Sequence, residues 1–210
     1  ILYDALGKPT RMLGIVQDVT ERRAAEARTR EQLRLTQQRQ QLLEWLAGQS
    51  ADRGELQPLV RALTERLVEL YDCARASFWR FDATAGTLVC EGCFDRPSGT
   101  HSAGERLRAD EAPGFFAAVQ RGLYVDVDDV RTDPRTAQLA AHLLPQGVSS
   151  RLDAVLRFGG RHHGTLCLEH VQRPHVWARD EIDFACTVGG QPATQLETVA
   201  RAAAEAHALE

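Results

Sequence analysis

Lysine is nearly missing from this sequence: Lys8 stands alone against many arginines, which reads as coding bias rather than function. No basic block occurs, and 25 basic against 29 acidic residues leave a formal charge of −4. Nucleic acid is therefore not an expected partner, since phosphate backbones call for a concentrated cationic face. No apolar run approaches the roughly 20 residues that span a bilayer, so no membrane segment is expected in this fragment. No signal peptide opens the chain, and its five cysteines are an odd number. A reducing cytoplasm fits that better than a disulfide framework. Disorder is excluded too, because 43% hydrophobic and 26% charged residues describe a globular chain. The 210 residues suffice for one ordinary domain with extensions. A start at Ile1 and a final Leu209-Glu210, a pair often left by a cloning site, suggest a piece excised from a longer protein.

What is present falls into segments. Residues 1–20 read as a hairpin, with a turn at Leu6-Gly7-Lys8-Pro9 and a second strand over 12–16. A lone hairpin is marginal in water, so this one must pack on something or exchange between chains. Residues 21–48 hold no strong breaker and are rich in Glu, Gln, Arg, Leu and Ala, which predicts a long helix. Asp18 or Thr20 can cap it. Leu35 and Leu42 lie a heptad apart. Two readings stand: a parallel coiled coil, or a solvated spacer that docks only at its end.

From Leu56 the pattern is that of a compact domain. Leu59, Leu63, Leu67 and Leu70 give one helix face. Residues 74–82 and 87–95 read as adjacent strands. A polar loop, a short helix over 114–121, a strand over 123–130 and a short helix after Pro134 follow. Residues 147–170, GVSSRLDAVLRFGGRHHGTLCLEH, are two apolar runs of strand length around a tight turn, FGGRHHG. Val148, Leu152, Ala154, Leu156 and Phe158 fall on one side of the first run. Residues 180–209 read as a long closing helix. Within it, Gly189-Gly190-Gln191-Pro192 predicts a kink or break, because an interior proline costs about 3 kcal/mol. The order is that of an α+β domain with an antiparallel sheet.

These residues resemble a GAF domain over roughly 56–200. The resemblance is carried by Gly147-Val148, Ser150-x-Leu152, the Gly159-Gly160-Arg161 turn, Gly164-x-Leu166-x-Leu168-Glu169-His170 and Trp177-x-x-x-Glu181-x-x-Phe184. Ala178 stands where such sequences often place a capping Ser or Thr. The stretch GIVQDVTERRAAE (14–26) resembles the closing strand of a PAS domain and its exit into a helix. The resemblance implies a GAF-like antiparallel sheet with helices on both faces, preceded by a β-hairpin and a long helix. It makes 1–20 the end of a truncated PAS domain, 21–48 a connecting helix, 56–200 the GAF domain and 201–210 a helical extension with a tag remnant.

Cys90-Glu91-Gly92-Cys93 invites a redox switch or half a zinc site. Positions i and i+3 of a strand are expected on opposite faces, which favours two small apolar packing residues. The same geometry separates Cys167 from His170, and His162 and His163 are expected in a solvent-facing turn. His170 and His175 flank a loop where backbone hydrogen bonds would occupy them. The GAF resemblance admits one enzyme class, the free-methionine sulfoxide reductases, whose cysteines sit on loops around the pocket; the cysteines here fall in helices and strands. Bilin-binding GAF domains carry a Cys-His pair where this chain has Gln138 and Leu139, so covalent bilin is not expected. The constellation of cyclic-nucleotide GAF domains is missing. Haem would need a pocket histidine, for which His142 is the candidate. No cofactor is expected.

The resemblance places a pocket between the sheet and the short helices. Trp79, Phe81, Phe94, Phe115, Phe116, His142, Leu143 and Asp153 are its candidate lining, and each serves equally as core. No catalytic or metal-binding residue is assigned. The expected function is a sensory or regulatory module of a cytoplasmic signal-transduction protein. It would bind a small ligand, or act as a homodimer through its N-terminal and C-terminal helices, and relay to an output domain outside this fragment. That output would be a histidine kinase or a cyclic-di-GMP enzyme. The alternatives are a redox enzyme or thiol sensor using Cys90 and Cys93, and a structural dimerisation domain with a filled pocket.

Overall fold

The computed structural model describes residues 2–3, 5–11, 20–48 and 56–190. The chain divides into two units, 1–38 and 39–210. In the first, β1 (Leu2–Tyr3) pairs antiparallel with β2 (Pro9–Arg11). Pairing thus begins at Pro9, inside the expected turn, and the expected strand over 12–16 lies outside the described residues. The helix α1 (Thr20–Ala47) starts in this unit, exposed throughout 20–34.

In the second unit, the end of α1 buries Leu42 and Leu46. Arg39 of the same helix pairs with Asp180 at 3.0 Å and stacks over Phe184 at 5.2 Å. The next helix, α2 (Leu56–Leu70), buries Leu59, Val60, Leu63, Thr64, Leu67 and Val68, a stripe of helical period that faces the sheet. The sheet has seven strands: β3 (Arg75–Asp82), β4 (Thr87–Asp95), β5 (Thr100–Ser102), β6 (Arg106–Arg108), β7 (Tyr124–Val127), β8 (Val148–Phe158) and β9 (Arg161–Val171). Their order is β5-β4-β3-β9-β8-β7, with β6 also on β4 and every pair antiparallel. Between them lie α3 (Pro113–Arg121) and α4 (Ala140–Leu143), the latter flanked by 3-10 turns at Pro134–Thr136 and Leu144–Gln146. A last helix, α5, covers 179–190.

Strand β8 is buried at every position from 148 to 156, which requires cover on both faces. One core joins the end of α1, α2 and α5 to Leu152, Ala154, Leu156, Leu166 and Leu168. The other joins α3 and the α4 segment to Trp79, Val125, Val155 and Cys167. Val148 belongs to this second core, because an irregular register between Val148 and Ser150 turns it away from Leu152. Phe158 is half-exposed at the strand end. Gly159 and Gly160, both at positive φ, make the two-residue hairpin turn. His162 and His163 are therefore strand residues, not turn residues as expected. The presumed polar loop contains β5 and β6, strands of three residues too short to show a period.

The missing cap at Ala178 is compensated from the other side. Glu181 Oε2 accepts the Ala178 N–H at 2.8 Å, one half of a capping box. The helix runs unbroken through Gly190, while Gln191 and Pro192 lie outside the described residues. Gly189 lets α5 close on the sheet: a Cβ there would sit 2.6 Å from Leu156 Cδ2.

Candidate functional site

The sheet face toward α3 and α4 is built in rows. Asp95, Arg75, Glu169 and Arg151 align across β4, β3, β9 and β8; Cys93, Ser77, Cys167 and Asp153 form the next row; Cys90, Trp79, Thr165 and Val155 the third. The floor grades from charged to apolar in two steps of about 6.6 Å along the strands. Residues 138–146 on one side and 102–107 on the other rise around it. They enclose a cavity of about 400 Å³, a volume that suits a small molecule.

Hydrogen bonds from its two arginines tie most of the charged row together. Arg151 forks onto Asp153 at 2.6 and 2.9 Å, reaches Glu169 at 3.3 Å and lies over the Phe115 ring at 5.0 Å. Burial pushes the Asp153 carboxyl above the usual carboxylate range against the pull of Arg151. The second Glu169 oxygen takes Arg75 Nε at 2.9 Å, and Arg75 Nη1 donates to Gln146 at 2.7 Å. Along the same floor Trp79 Nε1 donates to Ser77 Oγ at 2.9 Å. Across the mouth, Glu105 meets His142 at 2.8 Å.

The expected opposite orientation of Cys90 and Cys93 is corrected. The β3–β4 register shifts at Phe78/Trp79, which leaves Glu91 as an extra residue and returns both cysteines to the cavity side. Gly92 turns the other way, toward α2, where a Cβ would meet Val60 at 2.6 Å. Both thiols are free. Burial raises Cys90 to about 12 and Cys93 to about 11, away from the thiolate form that redox chemistry uses near neutral pH.

Of the candidate lining residues, Trp79, His142 and Leu143 border the cavity. Phe81, Phe115 and Phe116 pack in the core behind it, with Phe81 stacked on His162 at 4.7 Å. Burial lowers His162 to about 4, so it is a half-buried neutral ring and not a solvent-facing one. Phe94 lies on the opposite sheet face beside His101, 4.7 Å between rings. Asp153 is fully buried beneath the floor. His170 and His175 stack at 4.3 Å, and His175 bonds Glu181 rather than backbone. Among the described residues no group of three or more His, Cys, Asp or Glu could hold a metal ion.

The sequence pattern of the GAF domain matches residues 55–196. The chain belongs to the GAF domain family. Its fold is similar to the GAF domain of a phosphoenolpyruvate-protein phosphotransferase from Coxiella burnetii, with TM-score 0.63 and 16% identity over 81% of this chain and 96% of that one. It is similar to the Thermosynechococcus elongatus PixJ GAF domain, with TM-score 0.58 and 17% identity over 76% and 97%. It also resembles the domain of a putative two-component sensor histidine kinase from Sinorhizobium meliloti 1021, with TM-score 0.52 and 19% identity over 75% and 99%. No curated protein matches the chain. Among the described residues of this GAF domain, no helix is long and apolar enough to cross a membrane.

The polar half of this GAF cavity was not among the expected residues. Arg75, Ser77, Gln146, Arg151 and Glu169 line it, and their signal was present. Arg75, Ser77 and Trp79 alternate along β3, as do Arg151 and Asp153 along β8. Polar residues at period two inside otherwise apolar strands mark a buried polar face.

Proposed function

We propose that this GAF domain is a sensory, regulatory module that binds a small ligand in the cavity over Arg75, Ser77 and Trp79. A homodimer would relay the ligand state to an output domain outside this fragment. The cavity carries this reading: it has the size of a ligand site and sets the apolar Trp79, Leu107, Leu139 and Leu143 among convergent polar and charged side chains. A route to the helices supports it. The wall segment follows β7, and Trp177, just ahead of α5, hydrogen-bonds Asp128 at 3.1 Å and Val127 O at 3.4 Å. Next, α5 meets the end of α1 through Arg39, with Asp180 and Phe184. A ligand that favours one packing of these helices shifts a population toward it. Contacts between protomers would use α1 and the closing helix. The similar histidine-kinase domain makes a kinase a natural output, with a cyclic-di-GMP enzyme as the other.

Covalent bilin is not part of this proposal. Gln138 and Leu139 both border the cavity and neither offers a thiol. Burial, which pushes the Cys90 and Cys93 thiols upward, speaks against a thiolate-based catalytic reading. A thermal-shift screen of small metabolites, with light scattering for the dimer, tests the proposal. Stabilisation that disappears in Leu143→Trp, which fills the cavity, supports it. A protein that no compound stabilises, or that is a monomer with and without ligand, refutes it.

A further inference from the structure

We propose that His170 is an acid-sensitive switch on the start of α5: as a neutral ring it closes a stack that holds the helix, and as an imidazolium it leaves that stack for Asp72. The proposal is independent of any ligand in the cavity. His170, at the end of β9, stacks on His175 at 4.3 Å, and the two rings lie against Trp177 at 5.3 and 4.8 Å. The segment between strand and helix is pinned by hydrogen bonds. Ser149 Oγ donates to Arg173 O at 2.6 Å, Ser150 Oγ accepts the His175 N–H at 2.5 Å, and Trp177 donates to Asp128 and to Val127 O. Glu181 Oε2 takes His175 Nε2 at 3.0 Å as well as the Ala178 N–H at the start of the helix. His170 is held differently: its Nε2 is buried without a partner, a cost that the stack has to carry.

The ionisable groups around His170 are Asp72 after α2, Arg96 after β4, His175 ahead of α5 and Glu181 on it. Burial, and then the neighbouring His175, hold the His170 ring below the ordinary 6.5, against the pull of Glu181 and Asp72. The stack therefore favours the neutral ring. Its contribution is full above 6.5 and is lost as the pH falls through the lower value of the stacked ring. A charged ring has somewhere to go, because His170 borders an open groove with Asp72, Arg96 and Pro97. Asp72 is 90% exposed there, so the imidazolium gains both water and a carboxylate, with Arg96 on that carboxylate at 2.8 Å tempering the pull. Its departure uncovers Trp177 and one face of His175, the residues next to the α5 cap. Asp180, beside Glu181, pairs with Arg39 of α1, so the turn that loosens is the one joining the two helices. Two ring positions with a proton to choose between them make a switch.

NMR of the whole chain between about pH 7.5 and 5, where histidines change charge, tests this. The His170 ring should titrate below 6.5, and the Trp177 indole N–H should shift with the same midpoint. The Glu181 and Ile182 amides bond Ala178 O at 3.1 Å. Their protection from exchange should fall about 3–10-fold between about pH 6.5 and 5.5, within the tenfold per pH unit that one proton can supply. His170→Phe keeps a ring in the stack with nothing to protonate, and should flatten both profiles. His162→Phe, at the other end of β9, should leave them as in the parent. A His170 ring that titrates at 6.5 or above overturns the proposal, as does a Trp177 indole or α5 protection indifferent to pH. An unchanged pH response in His170→Phe overturns it too. Should that variant fail to fold, the parent decides alone: a shared midpoint of His170 and Trp177 supports the switch, and separate midpoints reject it.

Discussion

Replacing Arg151 with methionine should destabilise the domain by about 3–5 kcal/mol, because it strands a carboxylate that the fold has buried completely. Arg151 is 6% exposed and Asp153 0%. The two bonds at 2.6 and 2.9 Å are charge-assisted, and the guanidinium also serves Glu169. Methionine roughly keeps the side-chain volume, so packing changes little and the loss is electrostatic. Glu169 retains Arg75, but Asp153 loses both of its guanidinium bonds. For a domain of this size the expected fall in Tm is about 10 °C or more. The distinguishing test is the double variant. Arg151→Met with Asp153→Leu removes both charges and should return to within about 1 kcal/mol of the parent, since a buried pair contributes little net stability over an apolar one. Urea unfolding, followed by the fluorescence of Trp45, Trp79 and Trp177, measures all three proteins. A single variant that loses under about 1 kcal/mol, or a double variant as unstable as the single, refutes this account of the buried row.

Gly164→Ala should be among the most damaging small changes: a Cβ there would sit 1.8 Å from the Trp79 carbonyl oxygen, between two paired strands. Overpacking against backbone together with lost ladder bonds puts the cost at about 3–5 kcal/mol, and a Tm within 2 °C of the parent would contradict it. Gly189→Ala should cost about 1 kcal/mol, since the clash with Leu156 outweighs the helix propensity gained; a higher urea midpoint would reverse that judgement. His162 titrates at about 4 in the fold against an ordinary 6.5. The unfolded chain thus binds the extra proton between those values, and stability present above pH 6.5 is lost as the pH falls toward 4. Discounted for partial exposure, this amounts to at most about 2 kcal/mol. His162→Phe should flatten the urea midpoint between pH 4 and 7, and parallel profiles would exclude the effect.

The fold was legible because its strands are strongly patterned. The run 147–170 announced a hairpin, and the Gly159-Gly160 turn fixed its register. The apolar stripe of α2 was equally plain. The cavity was less legible, since aromatic residues signal burial but not which surface stays open. Phe81, Phe115 and Phe116 pack where size and apolarity send them, in the core beneath the cavity. Phe94 lies on the other face, since β4 carries a bulge, and a bulge at Glu91 inverts every later residue of the strand. Nothing local announces that bulge, beside which Gly92 packs closely against Val60 on α2. The same slip made Cys90 and Cys93 look opposed when they share a face.

Hydrogen exchange of the whole chain, with and without saturating amounts of the best stabiliser from the metabolite screen, tests the central claim most directly. The account predicts slower exchange in β3 over 75–79 and in the wall segment 138–146. It also predicts a change in α5 and the end of α1, where Arg39 joins them. Protection confined to other surfaces, or an exchange pattern that saturating ligand leaves unaltered, would contradict it.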